Sequence, residues 1–269
     1  MNRDSGESAV TGRRVRELIL RESHRAHVGH IGSALSIADI VAALYGGILR
    51  IPSLGDTERD RFILSKGHAA LALYAALALR GWITAEQLAT YCGDGSLLGV
   101  HPEHELPGVE FSSGSLGHGL SIGAGCALAA RATGSARRTF VLLSDAELDE
   151  GSTWEAAMFA AHHRLDGLYA IVDANGQQAF GYTRDVLAIE NAAERFAAFG
   201  WDAREVDGHD GAALRAAVDE AASVPEPHLL LARTTFGRGV SFMERRIKWH
   251  YWPMSPEEYA TAMRDVAAT

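Results

Sequence analysis

From position 139 to 234 the chain alternates short apolar runs with longer segments whose apolar residues recur every three or four positions. The runs at 139–144, 168–173, 201–206 and 229–234 predict strands. The segments at 153–164, 186–199 and 212–222 predict the helices between them. Strands joined by whole helices cannot form hairpins; they must lie parallel, and a parallel sheet needs cover on both sides. The pattern therefore dictates an α/β fold, a parallel β-sheet with helices on both faces. Upstream, 61–65 reads as one more buried strand, and 12–25, 33–49, 67–81, 84–92 and 116–133 read as helices. No linker or repeat interrupts the sequence, so 1–269 is expected to be a single domain, with 1–12 flexible and 235–269 a C-terminal loop and helix.

In such sheets ligands gather at the carboxyl ends of the strands. Here those ends read "SKGH", "SDAE", "DANGQQ" and "TTFGRG". Asp145 and Asn175 each follow a strand and are separated by one βαβ unit, which would set them side by side. A carboxylate, an amide oxygen and a backbone carbonyl such as that of Gln177 are hard oxygen ligands that suit magnesium. A helix starting near Ser152 would aim its first amides at the same place, which favours a phosphate. The bland alternative is that these acids are solvated surface charges or charges at a helix N-terminus; stabilising the helix N-terminus is the reading preferred for Glu147 and Asp149.

The net charge of −9 argues against non-specific nucleic-acid binding. The N-terminus is polar and no window holds eighteen uninterrupted apolar residues, so neither a secretory signal nor a membrane span is expected. Cys92 and Cys126 lack metal or redox spacing, and a reduced, cytoplasmic chain follows. His24, His27 and His30 have no further ligands in view for zinc. The glycines of "GHGLSIGAG" have no strand directly before them and the wrong spacing for a dinucleotide fingerprint. They suggest close helix packing across an interface instead.

Asp145 followed 30 residues later by Asn175 resembles the thiamin-diphosphate motif, and with it "GHIGSALS", "FILSKGHAALALYAAL", "GVHPEHELPGVEFSSGSLGHGLSIGAG", "DEGSTWEAAMFAAHH" and "GRGVSFMERRIKWH", in that order, resemble the N-terminal, diphosphate-binding domain of transketolase across about residues 14–258. The resemblance implies thiamin diphosphate as cofactor, with Mg2+, or Ca2+ or Mn2+ in its place, held by Asp145, Asn175 and the carbonyl of Gln177. It implies that His68 and His250 reach the diphosphate and that His30 and His101 line the substrate channel, the four histidines forming the catalytic set. Gly114, Ser115 and Leu116 match the loop at the aminopyrimidine. Ala146, Glu147 and Glu150 fall beside the cofactor, Glu150 at a subunit interface. The implied activity is transfer of a two-carbon ketol unit from a ketose to an aldose. Proton transfers between sugar hydroxyls call for groups near neutrality, hence histidines.

A whole transketolase is more than twice as long, and its second domain supplies the acid that activates the cofactor. This chain resembles the small N-terminal subunit of a split transketolase, which implies a C-terminal partner subunit carrying the pyrimidine-binding domain and an α2β2 assembly. Two departures stand out. The usual Gly-Asp-Gly is Ser144-Asp145-Ala146, so weakened but not abolished cofactor binding is expected. "WHYWP" puts Tyr251 and Trp252 where a small residue is usual after the histidine, which would reshape the substrate entrance. The alternatives are another thiamin-dependent carboligase, an acyloin or deoxy-ketose synthase, and a non-catalytic scaffold subunit.

Overall fold

A computed structural model describes residues 10–189 and 191–268. The flexibility expected for 1–12 falls mainly outside them; Thr11, which is described, caps the first helix through its hydroxyl. Five parallel strands form the main sheet: β1 (Arg61–Leu64), β2 (Thr139–Ser144), β3 (Leu168–Ala174), β6 (Asp202–Asp207) and β7 (His228–Arg233), in the order β1-β2-β3-β7-β6. A small antiparallel hairpin, β4 (Gln177–Gln178) and β5 (Gly181–Tyr182), stands just beyond β3.

The period of two along each strand divides the interior. Phe140, Leu142, Tyr169 and Ile171 face one hydrophobic cluster, together with α1 (Gly12–Ala26), α2 (Ile31–Ser36), α3 (Ala38–Ala43) and α4 (Ala70–Leu79). Beyond α5 (Ala85–Leu88), Val141, Leu143, Ala170 and Val172 face the second, with α6 (Gly119–Ala132) and α7 (Gly151–His162). The short α8 (Thr183–Val186) follows the hairpin, and α9 (Ala192–Ala198) joins the second cluster. Helices α10 (Gly211–Ala221) and α11 (Pro256–Ala267) complete the first. Each fully buried Phe, Leu or Ile of these strands contributes about 1.5–3 kcal/mol by leaving water.

Two predicted helices are broken. The segment 33–49 is divided at Ile37, whose φ of −99° and ψ of 4° leave the helical region, and ends in a wide π turn over Leu44–Ile48 where Gly47 takes φ 149°. The first break lies next to Ser36, whose hydroxyl is spent on Asp173 rather than on solvent. In the segment 186–199, Val186 ends α8 and the helix resumes at Ala192; Leu187 is extended, and Thr183 before it is bound to Asp145 through its side chain. In both places a hydrogen bond to an acid at the sheet edge accompanies the departure from helical periodicity. From Ala89 to His118 the chain forms no helix or strand: the helix expected over 84–92 ends at Leu88, and the one expected from 116 begins at Gly119.

Two of the α6 glycines, Gly119 and Gly123, pack inward against the sheet, while Gly125 is exposed with open space around it. A Cβ on Gly119 would stand 2.2 Å from Ser65 Oγ, and one on Gly123 would stand 2.3 Å from Val141 Cγ2, so these two allow the helix to lie directly on the sheet.

Candidate active site

β2 and β3 are neighbours in register, Ser144 opposite Asp173, so Asp145 and Asn175 emerge side by side from their carboxyl ends. The loop after β3 wraps the Asp145 carboxylate: Gly176 N–H donates to Oδ2 at 2.8 Å, Thr183 Oγ1 to the same oxygen at 2.9 Å, and Ala146 N–H to Oδ1 at 3.0 Å. Asn175 Oδ1 accepts from Gln177 N–H at 2.9 Å while its Nδ2 donates to Asp173 Oδ2 at 2.8 Å. Burial, and then the charge of Asp173, push the Asp145 carboxyl up to about 7. A carboxylate so placed is costly to ionise unless a cation compensates it.

Next to this loop lies a cleft of about 380 Å3 lined by His30, His68, His101, Gly114, Leu116, Ala146, Glu150, Asn175, Gln177 and His250, ten of the residues expected at the site. Asp145 lies behind it, in an adjoining recess that shares Asn175 and Gln177 with the cleft. Ser115 is exposed and is not part of the lining. Glu147 is fully buried beneath the cleft: it accepts from the hydroxyl of Ser65, from Ser144 N–H at 2.9 Å and from Gly117 N–H at 3.0 Å. Its carboxylate is thus a brace between the end of β1, β2 and the Gly117 loop, out of reach of solvent.

Three histidine rings cluster in the cleft. Ring centres of His30 and His68 are 5.5 Å apart, His30 and His250 5.2 Å, and His68 and His250 5.6 Å. Burial lowers all three pKa values, helped by His101 for His30 and by Lys66 for His68; His250 falls to about 4 from burial, His30 and Lys66. At neutral pH each is an uncharged ring with one donor and one acceptor nitrogen. Nδ1 of His30 and of His250, and Oε1 of Gln177, are buried without hydrogen-bond partners in the protein. Unsatisfied buried polar atoms on residues that line one cleft are groups a polar ligand could satisfy.

Under the cleft runs a network the sequence did not announce. Lys66 and Asp173 are both fully buried, and Lys66 Nζ donates to Asp173 Oδ2 at 2.5 Å. Ser36 donates to that oxygen at 2.7 Å and Thr234 to the other. Burial alone would raise the Asp173 pKa; the Lys66 ammonium and these hydrogen bonds more than offset it and hold the group below its usual range. The one available signal was that Lys66 is one of only two lysines, set at a strand end in "SKGH".

Asp145 and Asn175 bring a carboxylate and an amide oxygen to adjacent strand ends, hard oxygen donors of the kind a magnesium-like cation takes. Residues 8–267 match a family profile described as "Transketolase, thiamine diphosphate binding domain". The chain belongs to the transketolase N-terminal domain family.

It is 41% identical over 258 residues to a subunit of the apulose-4-phosphate transketolase of Phocaeicola vulgatus, covering 94% of this chain and 91% of that protein. It is 38% identical over 256 residues to the 6-deoxy-6-sulfo-D-fructose transketolase subunit SqwG of a Clostridium species, covering 94% and 93%. The fold superposes on the transketolase of Campylobacter jejuni with a TM-score of 0.87 at 30% identity, over 97% of this chain and 42% of that one. The transketolase of Leishmania mexicana gives 0.87 and 29%, over 97% and 41%. The chain thus matches nearly the whole length of the two subunit relatives and about two-fifths of the solved transketolases. Its sheet is the thiamin-diphosphate-binding fold of the transketolases. Among the described residues no helix is long and apolar enough to cross a membrane.

Proposed function

We propose that this chain is the diphosphate-binding subunit of a split transketolase that moves a two-carbon ketol unit from a ketose to an aldose, together with a partner subunit carrying the pyrimidine-binding domain. The observation that carries the reading is the juxtaposition of the Asp145–Asn175 loop with a cleft holding three neutral histidines. Asp145, Asn175 and the Gln177 carbonyl would hold the divalent cation, and the first amides of α7 favour the diphosphate. Bound there, thiamin diphosphate supplies a nucleophilic carbon that takes up the ketol unit. His30, His68 and His250 bind and orient sugar hydroxyls, each donating through one ring nitrogen and accepting through the other. A ring held neutral can take a hydroxyl proton and return it without first losing one of its own. Gly114 lets the loop approach His101 closely: a Cβ there would stand 3.1 Å from that ring.

The two relatives are named for enzymes of apulose 4-phosphate and of 6-deoxy-6-sulfofructose. A ketose whose tail carries an anionic phosphate or sulfo group is accordingly the substrate class we infer. Isothermal titration of thiamin diphosphate with magnesium tests the reading, with the partner subunit present or absent and with Asp145→Ala as control. Binding that needs the partner and vanishes in the control is the expected result. No binding in either mixture, while the two subunits still associate, would make the chain a scaffold.

A further inference from the structure

We propose that Tyr251 is a positioning residue, whose hydroxyl holds the tip of the β4–β5 hairpin and so joins the two walls of the cleft. This deepens the reading above and rests on it for its catalytic meaning, but not for its geometry.

The hairpin carries Gln177 and Gln178, both buried and both in the cleft lining. With two residues per strand it cannot hold its shape unaided. Its base is tied down by Thr183 N–H to Gly176 O at 3.0 Å and by the grip of Gly176 and Thr183 on Asp145. Its tip projects: Phe180 is 89% exposed and Gly181 takes φ 145°. At that tip Tyr251 Oη donates to Ala179 O at 2.5 Å.

A latch is only as good as its post, and here the post is rigid. Tyr251 N–H donates to Lys248 O at 3.1 Å, and His250 O accepts from His30 N–H at 3.3 Å. The Tyr251 carbonyl is seated so closely on Gly29 that a Cβ there would stand 2.3 Å from it. The tyrosine follows directly on His250, whose side chain lines the same cleft beside His30 and His68. One phenol therefore spans from the histidine wall to the hairpin that presents Gln177. The small residue expected after the histidine could not reach. The consequence is a cleft whose cation-side wall is preset, and Trp252, 63% exposed with its ring outward, takes no part.

The test is amide exchange of the whole metal-free chain, followed by mass spectrometry over the peptide spanning 176–183. One exposed neutral hydrogen bond lost should speed exchange there by about twofold to tenfold in Tyr251→Phe, with Trp252→Ala unchanged. Equal exchange in Tyr251→Phe and the unsubstituted chain, or equal acceleration by Trp252→Ala, would overturn the latch. With the partner subunit present, Tyr251→Phe should raise the KM for thiamin diphosphate by a similar factor and leave kcat within about twofold. A fall in kcat at constant cofactor KM would overturn the positioning role. If no variant binds cofactor, the proposed function fails, and the exchange comparison still decides the latch.

Discussion

Asn175 donates its side-chain amide to Asp173 at 2.8 Å, so the neutral side chain expected at the cation is aimed by a buried carboxylate two residues before it in the chain. Lys66 shares the same oxygen. An amide pinned through its nitrogen must turn its oxygen the other way, and that oxygen closes on Gln177 N–H. The orientation of the loop is thus set from below, by a lysine–aspartate pair out of reach of solvent. Asp173→Leu should cost about 3–5 kcal/mol in urea unfolding of the metal-free chain, because it strands an ammonium in the core. The double variant with Lys66→Met should recover part of that loss. A cost below about 1 kcal/mol for Asp173→Leu would show that the pair does not anchor the loop.

At the opposite edge of the sheet, Asp60 is fully buried and accepts from Arg50 N–H at 2.8 Å, Arg138 N–H at 2.9 Å and both guanidinium groups. Burial would raise its pKa; the hydrogen bonds from Arg138 and Arg50 more than offset that and lower it. A carboxylate depressed in the folded state binds protons more weakly than in the unfolded one. Its stabilisation is therefore complete above the unfolded value near 4 and is lost as pH falls from there through the folded value. Asp60→Asn should cost about 2–3 kcal/mol at neutral pH and flatten the acid limb of a stability–pH curve. An unchanged acid limb would locate acid sensitivity elsewhere.

Gly119 exists for proximity. The nearest atom to a Cβ there is the Ser65 hydroxyl, the same group that donates to Glu147 under the cleft. Gly119→Ala should cost about 1–3 kcal/mol through overpacking, read as a drop of several degrees in Tm. Gly125→Ala on the same helix, where a Cβ meets nothing within 4 Å, should be neutral or stabilising. Equal effects of the two would mean that helix propensity, not the Ser65 contact, sets the cost.

His30 sits at φ 59°, a left-handed backbone that asparagine tolerates better than alanine. His30→Asn therefore removes the ring while adding little strain. In the enzyme reconstituted with its partner, it should lower kcat about 10²–10⁴-fold with Tm held within a few degrees. A kcat within threefold of the unsubstituted enzyme would remove His30 from the proton-handling set.

How much of this was legible follows from what kind of signal each part carries. The sheet was written in apolar runs; β2 matches its predicted bounds and its pairing with β3 brings Asp145 and Asn175 together as the spacing implied. The cleft residues were found through blocks resembling a family, since no periodicity marks a histidine as facing a cavity. Glu147 closes a capping box on Ser144, as an acid at a helix N-terminus should, but its burial under three donors has no signature in the sequence. Asp173 and Lys66 lie 107 positions apart and meet only through the strand order. Tyr251 stood out as an oddity, but its partner is a backbone carbonyl, which carries no side-chain signature.

Ala146 stands where the family's motif has glycine, and the backbone decides what that costs. Positive φ occurs at five non-glycine residues among those described, and Ala146 is not one of them. It lies in the short 3-10 turn Asp145–Asp149, with its N–H on Asp145 Oδ1. No left-handed strain is stored, so restoring glycine relieves none and adds unfolded-state freedom worth about 0.5–1 kcal/mol against folding. Its methyl group does line the cleft. Ala146→Gly should therefore lower chain stability slightly and change the Kd for thiamin diphosphate by less than about tenfold, a difference of about 1.4 kcal/mol, while Asp145→Ala abolishes binding. Tightening of a hundredfold or more in Ala146→Gly would mean that the methyl obstructs the diphosphate, and the scaffold reading would then become the better account of the chain.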